Sequence, residues 1–464
     1  MIASGFRLGI TCSFCGGALD IDEASRAVRC QHCGSLLKII RHGRVPEYFV
    51  RDQLDQSRAK FHIDEHFHKN KLPMPSHYYS IEQFYVPFWY AHGTVFTIQK
   101  RRAADVLATS GPEVEWYEES PQVKVKIINR NISFCGDTAF PWGLASLGVR
   151  PEVIQLIPVD KEFLEDHVVR PPDVDVSGVE KRFESSVNAT AQAVATERTE
   201  VDTTAVGTTA MLIFFPIWVA GIQSVGGASL VHFDPVAKRV VTVTPGSDMP
   251  KETPYGFQSA YGIEITAHRC PNCGDDLPES STTETFFCKN CRRLLLDRQD
   301  HYETLRLVVP REFDKECKLF PFWVFDLGQA SGTSVADFQR VRQVARFDAG
   351  QYIMPAFSVS NPNKLLRLVQ HYNRAEHQIQ FDEYPDDHYN FTDVNLNPQE
   401  AAEMIMPLTV AYAASMGFKI AGLATEKIRF AGEPRLMWLP YTLDQYFWRE
   451  AITGATIEKA AVKV

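Results

Sequence analysis

Eight of the ten cysteines fall into two sets with one spacing: Cys12-x2-Cys15, fourteen residues, Cys30-x2-Cys33, and Cys270-x2-Cys273, fourteen residues, Cys288-x2-Cys291. A Cys-x2-Cys turn places two thiolates on one side of a metal ion at about 2.3 Å, and a second turn completes a tetrahedral cage of four sulfurs. Four thiolates leave no coordination position for water or substrate. The chemistry expected is therefore structural, with one zinc ion per set and two in the chain. Tetrahedral sulfur also suits iron in a redox site, and spacing alone does not separate the two metals.

The elements that must hold these turns are short. Between the first two pairs, Ala18-Leu19-Asp20-Ile21, a polar turn Asp22-Glu23-Ala24-Ser25 and Ala27-Val28-Arg29 predict strand, turn, strand, as one short hairpin with a metal-binding turn at each end. Gly16 and Gly34 follow their cysteines, where positive φ lets backbone N–H groups turn toward the sulfurs. The second set keeps Gly274 but has Arg292 in the other glycine position, which predicts a less regular second knuckle. Over about thirty residues each, both sets resemble rubredoxin-like zinc ribbons of the transcription-factor-B type.

Length and composition bound the rest. The 464 residues, 45% hydrophobic and 23% charged, suffice for two or three globular domains. The formal charge is −9; eight thiolates add −8 and two Zn²⁺ add +4, giving −13. An acidic chain is a poor general binder of phosphate backbones, so nucleic acid is disfavoured as a partner, although a local patch remains open. One such patch is 26–44, with five Lys or Arg and no Asp or Glu, for which a solvated face is the ordinary expectation. Cys135 and Cys317 stand alone and are expected to be buried and inert, so the cysteine pattern fits a reducing compartment. The first residues show no basic region followed by an apolar core, and the cytoplasm is the expected location.

Other candidates for chemistry are thinner. Residues 52–68 read as a helix carrying His62-Ile63-Asp64-Glu65-His66, a formal match to the H-x-x-E-H pattern of zinc metalloproteases. With His68 also nearby, a chance match on an exposed polar helix is the plainer expectation. The acidic stretch 382–388 lacks calcium-loop spacing and reads as a solvated loop.

A second repeat accompanies the cysteines. Pro87-Phe88-Trp89 follows the first set and Pro321-Phe322-Trp323 the second, while Phe215-Pro216-Ile217-Trp218 and Trp438-Leu439-Pro440-Tyr441 come later in each half. Proline has no ladder donor, so these read as edge strands or strand starts. Their aromatics could line a groove for a peptide or a base, but packing repeated with a repeated module explains them more simply. Helices are expected over 177–200 and from the capping box Asn397-Pro398-Gln399-Glu400, with a kink or split at Pro407 and an end at Gly417. Residues 123–127 and 304–308 alternate like strands. The uncharged stretch 203–233, with an apolar run over 210–222, falls short of the roughly twenty residues of a membrane span. It reads as a buried strand and hairpin, followed by strand, turn, strand over 230–243. A last turn is expected at Thr453-Gly454.

The expected architecture is α+β: two rubredoxin-like zinc ribbons (1–45 and 263–300) inserted in a duplicated mixed α/β body (46–262 and 301–464) with antiparallel sheets. Tandem ribbons, each followed by a Pro-Phe-Trp strand, resemble a group of bacterial multi-zinc-ribbon proteins. Some such proteins are described as helicase-related, but this chain has no G-x-x-x-x-G-K-[ST] phosphate loop. Others occur beside membrane-associated scaffolds, so membrane contact is expected only through a partner. The function expected is a non-enzymatic zinc-binding adaptor or scaffold engaging a protein partner. The alternatives are nucleic-acid binding through the basic face of the first ribbon, with aromatics as stacking platforms, and an enzyme with an unrecognised site.

Overall fold

The uncharged stretch forms the centre of the protein's larger sheet. In the computed structural model, Thr199–Ser224 is a single 26-residue strand. It pairs antiparallel with His77–Arg101 from Thr199↔Arg101 to Gln223↔His77. The structure describes residues 7–22, 25–42, 45–101, 105–108, 115–118, 122–140, 142, 154–194, 199–251, 255, 262–279, 283–298, 300–305, 307–310, 313–314, 316–331, 335–347, 350–374, 381–384, 390–416, 428–430, 432 and 434–462.

The run 210–222 is continuously apolar because both faces of its sheet are covered. On one face Phe84, Val86, Phe88, Ile213, Phe215 and Ile217 pack against Leu8, Leu19, Leu37 and Ile39 from the first cysteine set. Toward the hairpin tip, helix α1 (Gln56–Lys69) lays Ala59, Ile63 and Phe67 on Ala220, Ile222, Val231 and Phe233. Helix α2 (Lys161–Asp166) and helix α3 (Val176–Val194) cover Tyr85, Trp89, Ala91, Leu212 and Phe214 with Phe163, Val179, Phe183 and Val187. Gly227–Asp234 and Arg239–Pro245 complete the predicted hairpins, and Asp234 Oδ1 accepts the Val236 and Ala237 N–H groups in the turn.

The second body has its own sheet, in the order 351–355, 318–326, 435–443, 447–450, 456–458, with 390–391 parallel to the start of 318–326. Helices α4 (Val335–Ala345), α5 (Pro362–Arg374) and α6 (Pro398–Ser415) pack on it. This core also receives Phe96, Ile98 and Val206 from the far end of the paired strands 77–101 and 199–224. The architecture is mixed and strand-rich with mainly antiparallel sheets, as the α+β expectation has it.

Several expectations need correction. Trp89 and Trp323 do not lie on edge strands: 77–101 runs between 199–224 and 122–135, and 318–326 between 435–443 and 351–355. Each proline is tolerated because its missing donor faces a neighbour that has just left the ladder. The 122–135 pairing ends at Phe88↔Cys135, and Gly136 N–H then donates to Pro87 O at 2.7 Å. The other pairing ends at Phe322↔Pro355, with Ala356 N–H donating to Pro321 O at 3.0 Å.

Helix α6 starts as predicted, with Asn397 Oδ1 accepting Glu400 N–H at 2.8 Å. It then runs unbroken through Pro407 to Ser415, because burial of nearly every side chain from Glu400 to Ala414 outweighs a defect of about 3 kcal/mol. Gly417 lies outside the described residues. Helix α3 ends at Val194, and Glu200 is already strand. Helix α1 starts at Gln56 behind the Asp55 cap, later than expected. The stretch 304–308 is divided between two strands, Tyr302–Leu305 and Leu307–Pro310, that belong to different sheets. Asp382 to Tyr384 belong to a strand, Phe381–Tyr384, and 385–388 lie outside the described residues. The turn at Thr453-Gly454 forms, with Gly454 at φ 74°.

Candidate metal centre

The first cysteine set is built from two hairpins and not one. Arg7–Thr11 pairs with Ala18–Asp22 around Cys12 and Cys15, and Ala27–Arg29 pairs with Leu36–His42 around Cys30 and Cys33. The predicted strands exist, but each pairs across its own knuckle, which brings the two turns face to face. The second set repeats this with the Arg269↔Asp276 bridge around one turn and the Thr285–Phe287 and Leu294–Asp297 strands around the other.

All four knuckles share one backbone pattern. Gly16, Gly34 and Gly274 have φ of 69°, 76° and 77° and donate N–H to the carbonyls of Cys12, Cys30 and Cys270 at 2.9 Å. Arg292 does the same: its φ is 57° and its N–H reaches Cys288 O at 2.8 Å. The expected irregularity at Arg292 is thus absent, because the turn imposes left-handed backbone on whatever residue occupies it. Gly17 is fixed for another reason. The His32 ring lies over it, 2.5 Å from where a Cβ would stand, while His32 Nε2 donates to Ala18 O at 3.0 Å and ties the two hairpins together.

Within each set all four sulfurs lie within 4.8 Å of one another. Cys12 to Cys33 is 3.9 Å, Cys15 to Cys30 3.8 Å, and Cys270 to Cys291 and Cys273 to Cys288 are each 3.5 Å. Four sulfurs about 2.3 Å from a shared ion sit about 3.8 Å apart along each tetrahedral edge. Both sets fit one metal ion each. The first cysteine of every pair is buried, while Cys15, Cys33 and Cys273 are exposed, so each cage is rooted in the protein on one side only. Burial pushes the Cys288 thiol up to about 12, whereas the hydroxyl and N–H of Ser35 hold Cys33 down at about 6. At neutral pH a metal must displace the proton from Cys288, whereas Cys33 is already largely thiolate.

The basic run 26–44 is solvated only in part, at the half-exposed Arg29, while Arg26 and Lys38 are drawn into ion pairs. Arg26 pairs with Glu284 at 2.5 Å and Asp297 at 3.6 Å, Arg29 with Glu279 at 3.2 Å, and Lys38 with Asp297 at 2.7 Å. Arg41 donates to Ser25 O at 3.0 Å, and Arg44 lies outside the described residues. The carboxylates all come from around the second cysteine set.

The remaining candidates do not assemble. His62 Nδ1 lies 3.4 Å from Glu65, and its ring stacks on Phe233, while His66 faces Asn70. Among the described residues only the two cysteine sets bring three or more ligand side chains to metal-holding distance. Cys135 and Cys317 are buried, and burial pushes their thiols up to about 12 and about 11. Phe88, Trp89, Phe322 and Trp323 are buried too, and lie in the cores. His232 is fully buried against Phe140 and Trp142, opposite Thr242 of the neighbouring strand, and burial lowers it to about 4. A lone histidine between Val231 and Phe233 gives no sequence signal beyond the strand's own apolar neighbours. A cleft of about 400 Å³ opens beside Asp52, Tyr85, Asp160 and His167. Of its four carboxylates, Asp52 is committed to the Trp218 and Leu54 N–H groups and Asp160 to the cap of α2, while Glu162 and Asp166 complete the lining.

No family model, curated protein or solved structure matches this chain.

Proposed function

We propose that the chain is a two-zinc, non-enzymatic adaptor, in which rubredoxin-like ribbons over 1–45 and 263–300 brace a duplicated α+β body (46–262 and 301–464) that engages a protein partner. The observation that carries this reading is the pair of closed four-sulfur cages: a metal held there has no site for substrate, and its work is to hold the fold. Zinc is favoured over iron because a structural role requires no redox change.

Matched contacts support duplication. Pro216 stands opposite Tyr85 and Pro87 opposite Phe214; Pro440 stands opposite Leu319 and Pro321 opposite Trp438. Trp89 Nε1 donates to Val174 O at 2.9 Å, two residues before α3, and Trp323 Nε1 to Leu396 O at 2.8 Å, two residues before α6. Thr138 N–H and Ser358 N–H donate to the side chains of Asp173 and Asn395, each one residue before those carbonyls.

Nucleic-acid binding is weakened by the same contacts, since Arg26, Arg29 and Lys38 face carboxylates and the aromatics are buried. Cysteines kept as thiols suit a reducing compartment, and the cytoplasm is part of the proposal. No described helix is long and apolar enough to cross a membrane.

Elemental analysis of protein purified without added metal is expected to give two zinc ions per chain; a folded preparation with neither zinc nor iron overturns the metal assignment. Crosslinking in the cells that make the protein is expected to yield one stoichiometric protein partner. Recovery of the uncrosslinked chain alone overturns the adaptor.

A further inference from the structure

Resting on the zinc reading above, we infer that the two metal sites are coupled, each raising the other's affinity through a built contact between the ribbons. Three layers of contact join them. The strand Gly262–Ala267, which leads into Cys270, pairs antiparallel with Leu36–His42, which leads out of Cys33; His268 N–H extends the ladder to Leu36 O at 3.0 Å. Beneath it, Ala27 of the first ribbon belongs to the small core formed by Cys270, Leu277, Phe286, Cys288 and Leu295 of the second, so the first ribbon helps close the core that holds two of the second set's cysteines. Across the seam, Lys38 and Asp297 meet at 2.7 Å with side chains 4% and 2% exposed. Lys38 Nζ also lies 3.8 Å from the Tyr302 ring centre, and the Tyr302 hydroxyl bonds His268 Nδ1 at 2.7 Å.

A ribbon this small has too little core to hold its shape without metal, so metal binding and folding are one event. An unfolded ribbon cannot present Ala27 and Lys38, or Phe286 and Asp297, in place. Emptying one cage therefore strips the other ribbon of its ladder partner, its apolar neighbour and its ion-pair partner, and leaves that seam open to water. By linkage the effect runs equally in both directions.

The test uses the full chain, zinc alone and a competing chromogenic chelator under reducing conditions. Cys12→Ser with Cys15→Ser, and Cys270→Ser with Cys273→Ser, give each single-site constant with the other site empty. The wild-type constant for loading both zinc ions is expected to exceed the product of the two by about tenfold or more, within the usual range of coupling. Equality with the product overturns the inference. Lys38→Met with Asp297→Leu keeps all eight thiols and is expected to retain both zinc ions while lowering the excess only in part, because the ladder and the Ala27 contact remain. An unchanged excess shows that the coupling does not run through this contact. Native mass spectrometry of half-stripped wild-type protein needs no variant: one-zinc chains are expected at about a quarter of the population or less for tenfold coupling of equal sites, and half or more overturns it. If no zinc binds to any of the proteins, the zinc reading itself fails, an outcome distinct from independent binding.

Discussion

Arg292 carries a backbone conformation that its side chain makes costly. A residue with a Cβ pays about 1–2 kcal/mol in left-handed geometry, and glycine does not. Arg292→Gly is therefore expected to raise the midpoint of thermal unfolding or slow zinc release from the second ribbon, whereas Gly34→Ala, at φ 76°, should cost about 1 kcal/mol and speed release from the first. His232 gives a pH prediction. Its ordinary value is 6.5, and burial lowers it to about 4 in the folded chain. Between these values the unfolded chain binds a proton that the folded chain refuses, so stability is full above pH 6.5 and falls as pH drops toward 4. Relative to the wild type, His232→Phe should gain roughly 3 kcal/mol between pH 6.5 and pH 4, read from denaturation midpoints, because the variant is spared that loss. The two cysteine sets were legible because a shared metal ion would dictate their spacing locally. His232 was not, because its surroundings are assembled from Phe140 and Trp142 far along the chain.

Elements were legible where local pattern decides them, as in the Asn397 cap of α6 and the apolar run of the 199–224 strand. The central placement of Pro87 and Pro321 was not, because it depends on where a neighbouring strand happens to stop. One irregularity joins the two bodies: Gly207, at φ 61° in the bulge between Val206 and Thr209, turns its N–H to Glu403 Oε2 of α6 at 2.8 Å. Gly207→Ala would set a Cβ 3.1 Å from Glu400 Oε1 in a strained conformation, and should cost about 1–2 kcal/mol in chemical denaturation. If the body is duplicated, Trp89→Phe and Trp323→Phe each remove the donor to the carbonyl before a helix cap. They should destabilise by similar amounts of about 1–2 kcal/mol, and a markedly unequal pair would count against equivalence.

At the scale of the molecule, chelation is expected to open both ribbons together, seen in limited proteolysis as new cuts within 12–33 and 270–291 at matched rates. Cuts confined to one ribbon would contradict a shared unit. The docking of the two cysteine sets had no sequence signature, since ion pairs such as Arg26 with Glu284, 258 positions apart, obey no spacing rule. The basic run was visible, but its partners were not.

That separation has a consequence during synthesis. At roughly 5–20 residues per second, the ribosome delivers Glu284 about 10–50 s after Arg26. Throughout that delay Lys38 and Ala27 wait without the surface that will cover them, so on the proposed zinc reading the nascent protein must either hold its first metal weakly or be shielded by a chaperone until its middle emerges.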